Sequence, residues 1–389
     1  MDLTLSSDQE TLQRRAREFL EQESPIPLVR EAAEDPTGVV PGLWRQMADL
    51  GWLGFALPRE YGGEGASLVD LALLYEELGR ALTPGPYLAS SVLAARAILG
   101  AGSDEQKRDL LPAIAAGQRI ATVAQLEPSQ DESPAGITAT ARRDGDGYLL
   151  DGIKLFVPHA AAADVVVVAA RESADPEGGI ALFVVERGTP GLSIRPLKTA
   201  THDWPGEVKL EGVRVPTAAR LTGDGWAALE AANRVATVMR CAEMAGGMEA
   251  VVDLSVEYAK TRVQFGRPIG AFQAIQYKAV AMAIEATGAK LLVHQTAWRL
   301  EHGLVTELDV AICKAKCSRA YRLVTFEGHE LHGGIGWSSE YDLQLYFRRR
   351  LADEASFGGA DYHLETVARA IHSRGWPQPH GEGALVLPE

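Results

Sequence analysis

Arg262, Phe265, Gly266, Gln273 and Gln276 crowd into one short stretch, and a second, Leu331-His332-Gly333-Gly334-Ile335-Gly336, is dense in glycine. An arginine presents a planar fork of donors that fits phosphate or carboxylate through two parallel bonds. Glycines let backbone N–H groups come close to such an anion, and glutamine amides add directed hydrogen bonds. The plainer alternative is a surface arginine beside a helix-ending turn. His329 and His332 are three apart, one short of the spacing that puts two imidazoles on one helix face for zinc, so no metal is expected there. Cys313 and Cys317 are four apart with no further ligand pattern and read as core thiols. Arg348, Arg349 and Arg350 fit either a basic patch for phosphates or an ion-paired helix face.

The elements that must position these residues follow from the changing hydrophobic period. The chain has 389 residues, too many for one simple core. Residues 1–120 read as helical, with capping-box spacing at Ser7–Glu10 and further helical runs at 41–51, 67–81, 87–101 and 104–117. Residues 121–222 carry short β-branched runs. Tyr148–Leu150 and Ile153–Val157 flank Asp151-Gly152, a hairpin signal. Helical spacing returns over 223–372, in four long segments at 225–262, 269–301, 306–332 and 340–371, and a Gly- and Pro-rich tail over 373–389 is expected to fray. The expected class is multidomain α+β: an N-terminal helical domain, a middle β domain and a C-terminal four-helix bundle.

A formal net charge of -14 disfavours nucleic acid as a partner. No apolar run is long enough to span a membrane. The N-terminal Met1-Asp2-Leu3-Thr4 lacks the pattern of a signal peptide, and three cysteines suit a reducing cytoplasm.

The stretch from Tyr258 through Arg262, Phe265, Gly266 and Gln273 to Gln276 resembles the Arg, Phe-Gly and Gln motif of the acyl-CoA dehydrogenase family. Gly333, Gly334 and Gly336 resemble its Gly-Gly-x-Gly segment. Leu53–Pro58, Tyr61-Gly62-Gly63 and Glu77–Arg80 are similar to its N-terminal landmarks. The resemblance covers about residues 5–372. It implies flavin adenine dinucleotide (FAD) as cofactor and α,β-dehydrogenation of an acyl-CoA thioester. It also implies that Arg262, Phe265, Gln273, Gln276, Gly333, Gly334 and Gly336 serve a flavin held mainly by the neighbouring subunit.

This chain departs from the family on its own side of that arrangement. The family's α-proton base falls nine residues after the arginine of an Arg-Asp motif, which from Arg349 is Gly358. The alternative base position is Ala236, and the substrate-arginine position beside it is Thr237. Where the family places flavin-ring contacts, this chain has Leu126, Glu132, Phe156 and Pro158. Loss on one side and retention on the other resembles the non-basic subunit of actinobacterial heteromeric, steroid-type acyl-CoA dehydrogenases. It implies a paralogous partner subunit, with an electron-transfer flavoprotein as electron acceptor. Two other readings stand beside it. One is a self-sufficient homo-oligomer with a base relocated to Glu354, Asp361 or Glu243. The other is a member diverged to another flavin reaction or to a scaffold.

Overall fold

The computed structural model describes residues 4–173, 178–201 and 203–374. The expected fraying from Gly375 onward lies outside them. Six helices open the chain: α1 (Ser7–Glu23), α2 (Ile26–Glu34), α3 (Pro41–Asp49), α4 (Leu68–Arg80), α5 (Ala95–Ala101) and α6 (Asp104–Ala115). The capping box of α1 is Ser6 with Gln9, one residue before the expected pair, because Ser6 is extended and Ser7 already helical. Helix α2 escaped the sequence reading: it is short and opens beside Pro25 with no side-chain cap. A π-helical turn, Leu88–Ala94, runs directly into α5 and interrupts what the sequence presents as one helix.

The middle of the chain forms β1 (Ala121–Ala124), β2 (Thr140–Asp144), β3 (Gly147–Pro158), β4 (Val165–Arg171), β5 (Ile180–Glu186), β6 (Leu192–Pro196) and β7 (Pro205–Pro216). They make one sheet in the order β1-β4-β2-β3-β7-β6, with β5 on β4. Pairing is antiparallel apart from β1 and β2 against β4. In β4 the period-two alternation divides the core. Val165, Val167 and Ala169 join the main helical core, whereas Val166, Val168 and Ala170 join a second core on the other face. The expected turn at Asp151-Gly152 is instead a bulge inside the single strand β3, which twists there while Asp151 Oδ1 accepts the N–H of Gly212 at 2.7 Å. The hairpin lies earlier, between β2 and β3, at Gly145.

The C-terminal part begins with α7 (Gly225–Thr261), followed by the small ribbon β8 (Val263–Gln264) and β9 (Arg267–Pro268). Then come α8 (Gln273–Glu301), α9 (Glu307–His332), α10 (Leu343–Ala355) and α11 (Ala360–Arg374). The expected fourth long helix is broken in two. Phe357 and Gly358 adopt φ of 56° and 83°, left-handed values that end α10 and start α11 in a new direction. Helix α4 crosses α7 closely through glycine: a Cβ on Gly246 would lie 1.7 Å from the carbonyl oxygen of Glu76. Cys241, Cys313 and Cys317 meet in the bundle interior, their Sγ atoms within 4.8 Å of one another.

Candidate active site

Helix α7 dictates the geometry. From its start, Trp226, Glu230, Asn233, Thr237, Arg240 and Glu243 recur at three- and four-residue intervals and so share one face. That face lines a cavity of about 870 Å³. Burial deepens along it, from exposed Glu230 to Glu243, whose side chain is 1% exposed. The opposite walls are the π-helical turn, the end of β3, helix α10 and the 357–359 break.

Backbone strain gathers here. Among the described residues, seven non-glycine residues have positive φ, and Gln130, Phe156, His159, Trp204 and Phe357 of these line the cavity. The imidazole of His159 stacks on Trp204 at 5.3 Å and its Nδ1 meets the carbonyl oxygen of Thr37. Burial lowers His159 to about 4. The loop carrying Leu126 is fixed by a buried ion pair, Lys154 Nζ to Glu127 Oε1 at 2.7 Å. Glu127 also accepts the backbone N–H groups of Thr138 and Ala139. Burial alone would raise its pKa, but Lys154 and these bonds hold it below the usual carboxylate range.

Three of the ring-facing substitutions, Leu126, Phe156 and Pro158, line the cavity together with Glu132, whose carboxyl is pushed upward by burial. Gly358 lines it too, whereas Ala236 is fully buried and faces the bundle. Of the relocated-base candidates, only Glu243 reaches the cavity. Glu354 is turned away to pair with Arg322 and Arg350, which outweigh its burial and lower its pKa, and Asp361 is exposed.

The sequence reading missed a cluster at the inner end. Arg240 Nη1 bridges Glu243 and Asp353, the latter at 3.0 Å. Burial raises Asp353 to about 6 against the attraction of Arg240 and Arg349. Arg348, Arg349 and Arg350 form no common patch, because successive helical residues diverge by about 100°. Arg349 lines the cavity, while Arg350 is buried with Glu354 and lies over the ring of Phe347.

The retained motif lies elsewhere. Arg262 caps α7 and is exposed, with no ion pair among the described residues. Its carbonyl oxygen accepts the N–H of Ile269, folding the ribbon back so that Gln273 starts α8 nearby. Tyr258, one turn earlier, stacks on His332 at 4.4 Å and so brings Gly333 and Gly334 to the same end of the bundle. Nothing lies within 4 Å of a Cβ built on either glycine, so both backbones are open to an approaching group. Gly336 is buried against His332 instead, and Gln276 is bound to the carbonyl oxygen of Gly270. Phe265, at φ 52°, is 92% exposed. His329 and His332 direct Nδ1 to the carbonyl oxygens four residues earlier rather than to a common point. An open backbone beside an unpaired guanidinium fits the pyrophosphate half of FAD.

Known proteins are similar to this chain in sequence and fold. The acyl-CoA dehydrogenase N-terminal, middle and C-terminal domain models match residues 6–118, 124–213 and 223–372. Acryloyl-CoA reductase (NADH) of Anaerotignum propionicum is 31% identical, covering 96% of this chain and 97% of its own. Acyl-CoA dehydrogenase FadE27 of Mycobacterium tuberculosis (strain ATCC 25618 / H37Rv) is 32% identical, covering 85% and 87%. A chain of the ChsE4-ChsE5 complex from Mycobacterium tuberculosis superposes with a TM-score of 0.87 at 29% identity, covering 96% and 99%. Among the described residues no helix is long and apolar enough to cross a membrane. Helical, β and helical domains in this order, around a cavity lined by α7, make this chain a member of the acyl-CoA dehydrogenase family, FAD-dependent oxidoreductases acting on a CH–CH bond.

Proposed function

We propose that this chain completes the FAD site of a paralogous subunit in a heteromeric acyl-CoA dehydrogenase. The observation that carries the lending to a neighbouring chain is distance, and the glycine at position 358, where the base is usual, is what assigns that neighbour to a paralogue. From Arg240 in the cavity to Arg262 at the cap, α7 climbs 22 residues, roughly 33 Å at 1.5 Å per residue. Arg262, Gln273, Gly333 and Gly334 therefore serve a flavin other than one whose ring would lie in this chain's cavity. FAD, when bound, supplies the acceptor for the hydride leaving the acyl β-carbon. Arg262 would neutralise the pyrophosphate, with the uncrowded backbone of Gly333 and Gly334 letting it approach, while the Gly333 N–H itself stays on the carbonyl oxygen of His329. With glycine at 358 and Leu126, Phe156 and Pro158 in the cavity, this chain's own side lacks the usual base and ring contacts, so the base belongs to the partner. Similarity to FadE27 and to the ChsE4-ChsE5 complex supports a paralogous partner. An electron-transfer flavoprotein as acceptor and a cytoplasmic setting complete the proposal.

A second reading is favoured by one observation. Glu243 lines the cavity, so a self-sufficient homo-oligomer would use it as the relocated base. The two readings separate on flavin content. Coexpressed with the paralogue, the wild-type assembly should carry one FAD per heterodimer. Arg262→Ala should lower FAD affinity by about 1.5–3 kcal/mol, the worth of a charge-assisted contact. Flavin absorbance per assembly after gel filtration measures this. Full flavin content in an intact Arg262→Ala complex refutes the lending role, and stoichiometric flavin in the chain expressed alone refutes the need for a paralogue.

A further inference from the structure

We propose that the cavity of this chain takes an acyl group ending in a carboxylate, received by Arg349 with Arg240 beside it. The inference concerns the inner end of the cavity and does not depend on which chain supplies the flavin.

A purely apolar acyl tail would call for an apolar floor, as a buried charge without a partner is costly. The floor here is charged. Arg240, on α7, holds Glu243 and Asp353 through one nitrogen. Its Nε is left without a partner, as are Glu243 Oε1 and Asp353 Oδ2. Arg349, on the facing helix α10, has no carboxylate within ion-pairing distance among the described residues. Its hydrogen bonds are long ones, 3.4 Å to the carbonyl oxygen of Leu82 and 3.5 Å to that of Thr83, with the Tyr87 hydroxyl alongside. A guanidinium has five donors, and these contacts leave most of them turned to the cavity it lines.

Lys314 is not part of that floor: it is buried, bonded to the backbone oxygens of Asp353 and Glu354, and does not line the cavity. Arg349 is thus the cavity-lining cation of the floor that lacks an ion-pair partner among the described residues.

The test is calorimetric titration of the assembly with glutaryl-CoA and adipyl-CoA, each against the neutral-tailed thioester of matching length, butyryl-CoA and hexanoyl-CoA. The wild type should bind the acid-tailed ligands about ten- to hundredfold more tightly, the worth of a charge-assisted pair. Arg349→Met, placed in this chain alone, should abolish that preference and leave hexanoyl-CoA binding within about twofold. Arg349→Lys should retain part of it. Equal binding of acid-tailed and neutral-tailed thioesters by the wild type overturns the proposal without needing any variant to fold. A preference that survives Arg349→Met also overturns it, by placing the acid-binding group elsewhere. Flavin absorbance in the same samples keeps this result separate from the cofactor-lending role, because Arg349→Met should leave FAD content unchanged.

Discussion

The imidazole of His159 is held neutral: stacked on Trp204 and enclosed, it titrates at about 4 rather than near 6.5. A depressed histidine contributes stability that is present above its unfolded pKa and lost as pH falls toward the folded value. Between pH 6.5 and 4 the fold should therefore lose up to about 3 kcal/mol from this residue alone. Urea midpoints at pH 7.5 and 4.5 for wild type and His159→Phe measure it, and the variant should show the flatter pH dependence. The Lys154–Glu127 pair makes a complementary case. Lys154→Met strands a buried carboxylate and should cost about 3–5 kcal/mol, again read in urea; a neutral result would mean that backbone donors alone hold Glu127. Arg262, Gln273 and the glycines were legible because their spacing is a motif. Asp353 and Arg240 were not, since a charged residue on a helix ordinarily faces solvent and only the tertiary packing turns these two inward.

At the scale of elements, the crossing of α4 and α7 governs the site. A Cβ at Gly246 would fall 1.7 Å from Glu76 O, and one at Gly79 would fall 2.1 Å from Glu243 O. Backbones this close leave no room for a methyl group, so Gly246→Ala should destabilise by about 3 kcal/mol or more. Gly288, in α8, meets only the end of Lys316 at 3.9 Å. Gly288→Ala should be neutral or stabilising by up to about 1 kcal/mol, so thermal melts of the two variants should move in opposite directions. A Gly246→Ala protein that melts at the wild-type temperature would show that the crossing yields. Most long helices and strands were visible as period. The break at Phe357-Gly358 and the bulge at Asp151 were not, because glycine marks a possible turn without saying whether a chain reverses, kinks or twists there.

Across the whole molecule, the bundle leaves apolar side chains outside. Tyr277, Val280 and Ile284 on α8 and Leu323 and Phe326 on α9 are exposed. The two helices are laced together by Lys278 with Glu327 and by Lys316 with Glu285. An apolar face of this kind marks an association surface. If flavin is shared between chains, Ile284→Glu with Phe326→Glu should reduce the assembly mass in light scattering and release FAD in proportion. Flavin retained by the dissociated chain would separate cofactor binding from assembly.

The helix that joins the two ends of this chain also fixes their relative phase. Each residue of α7 advances the axis by about 1.5 Å and turns it by about 100°. A deletion of one residue between Met248 and Glu257 would leave every cavity side chain in place yet swing Arg262 onto another side of the bundle. Substitutions in that span act locally, whereas insertions and deletions act at a distance. Over evolutionary time the outward-facing letters of this stretch can change while its buried ones, such as Met248 and Val251, and its length are held constant, and two sites that never touch inherit a common clock.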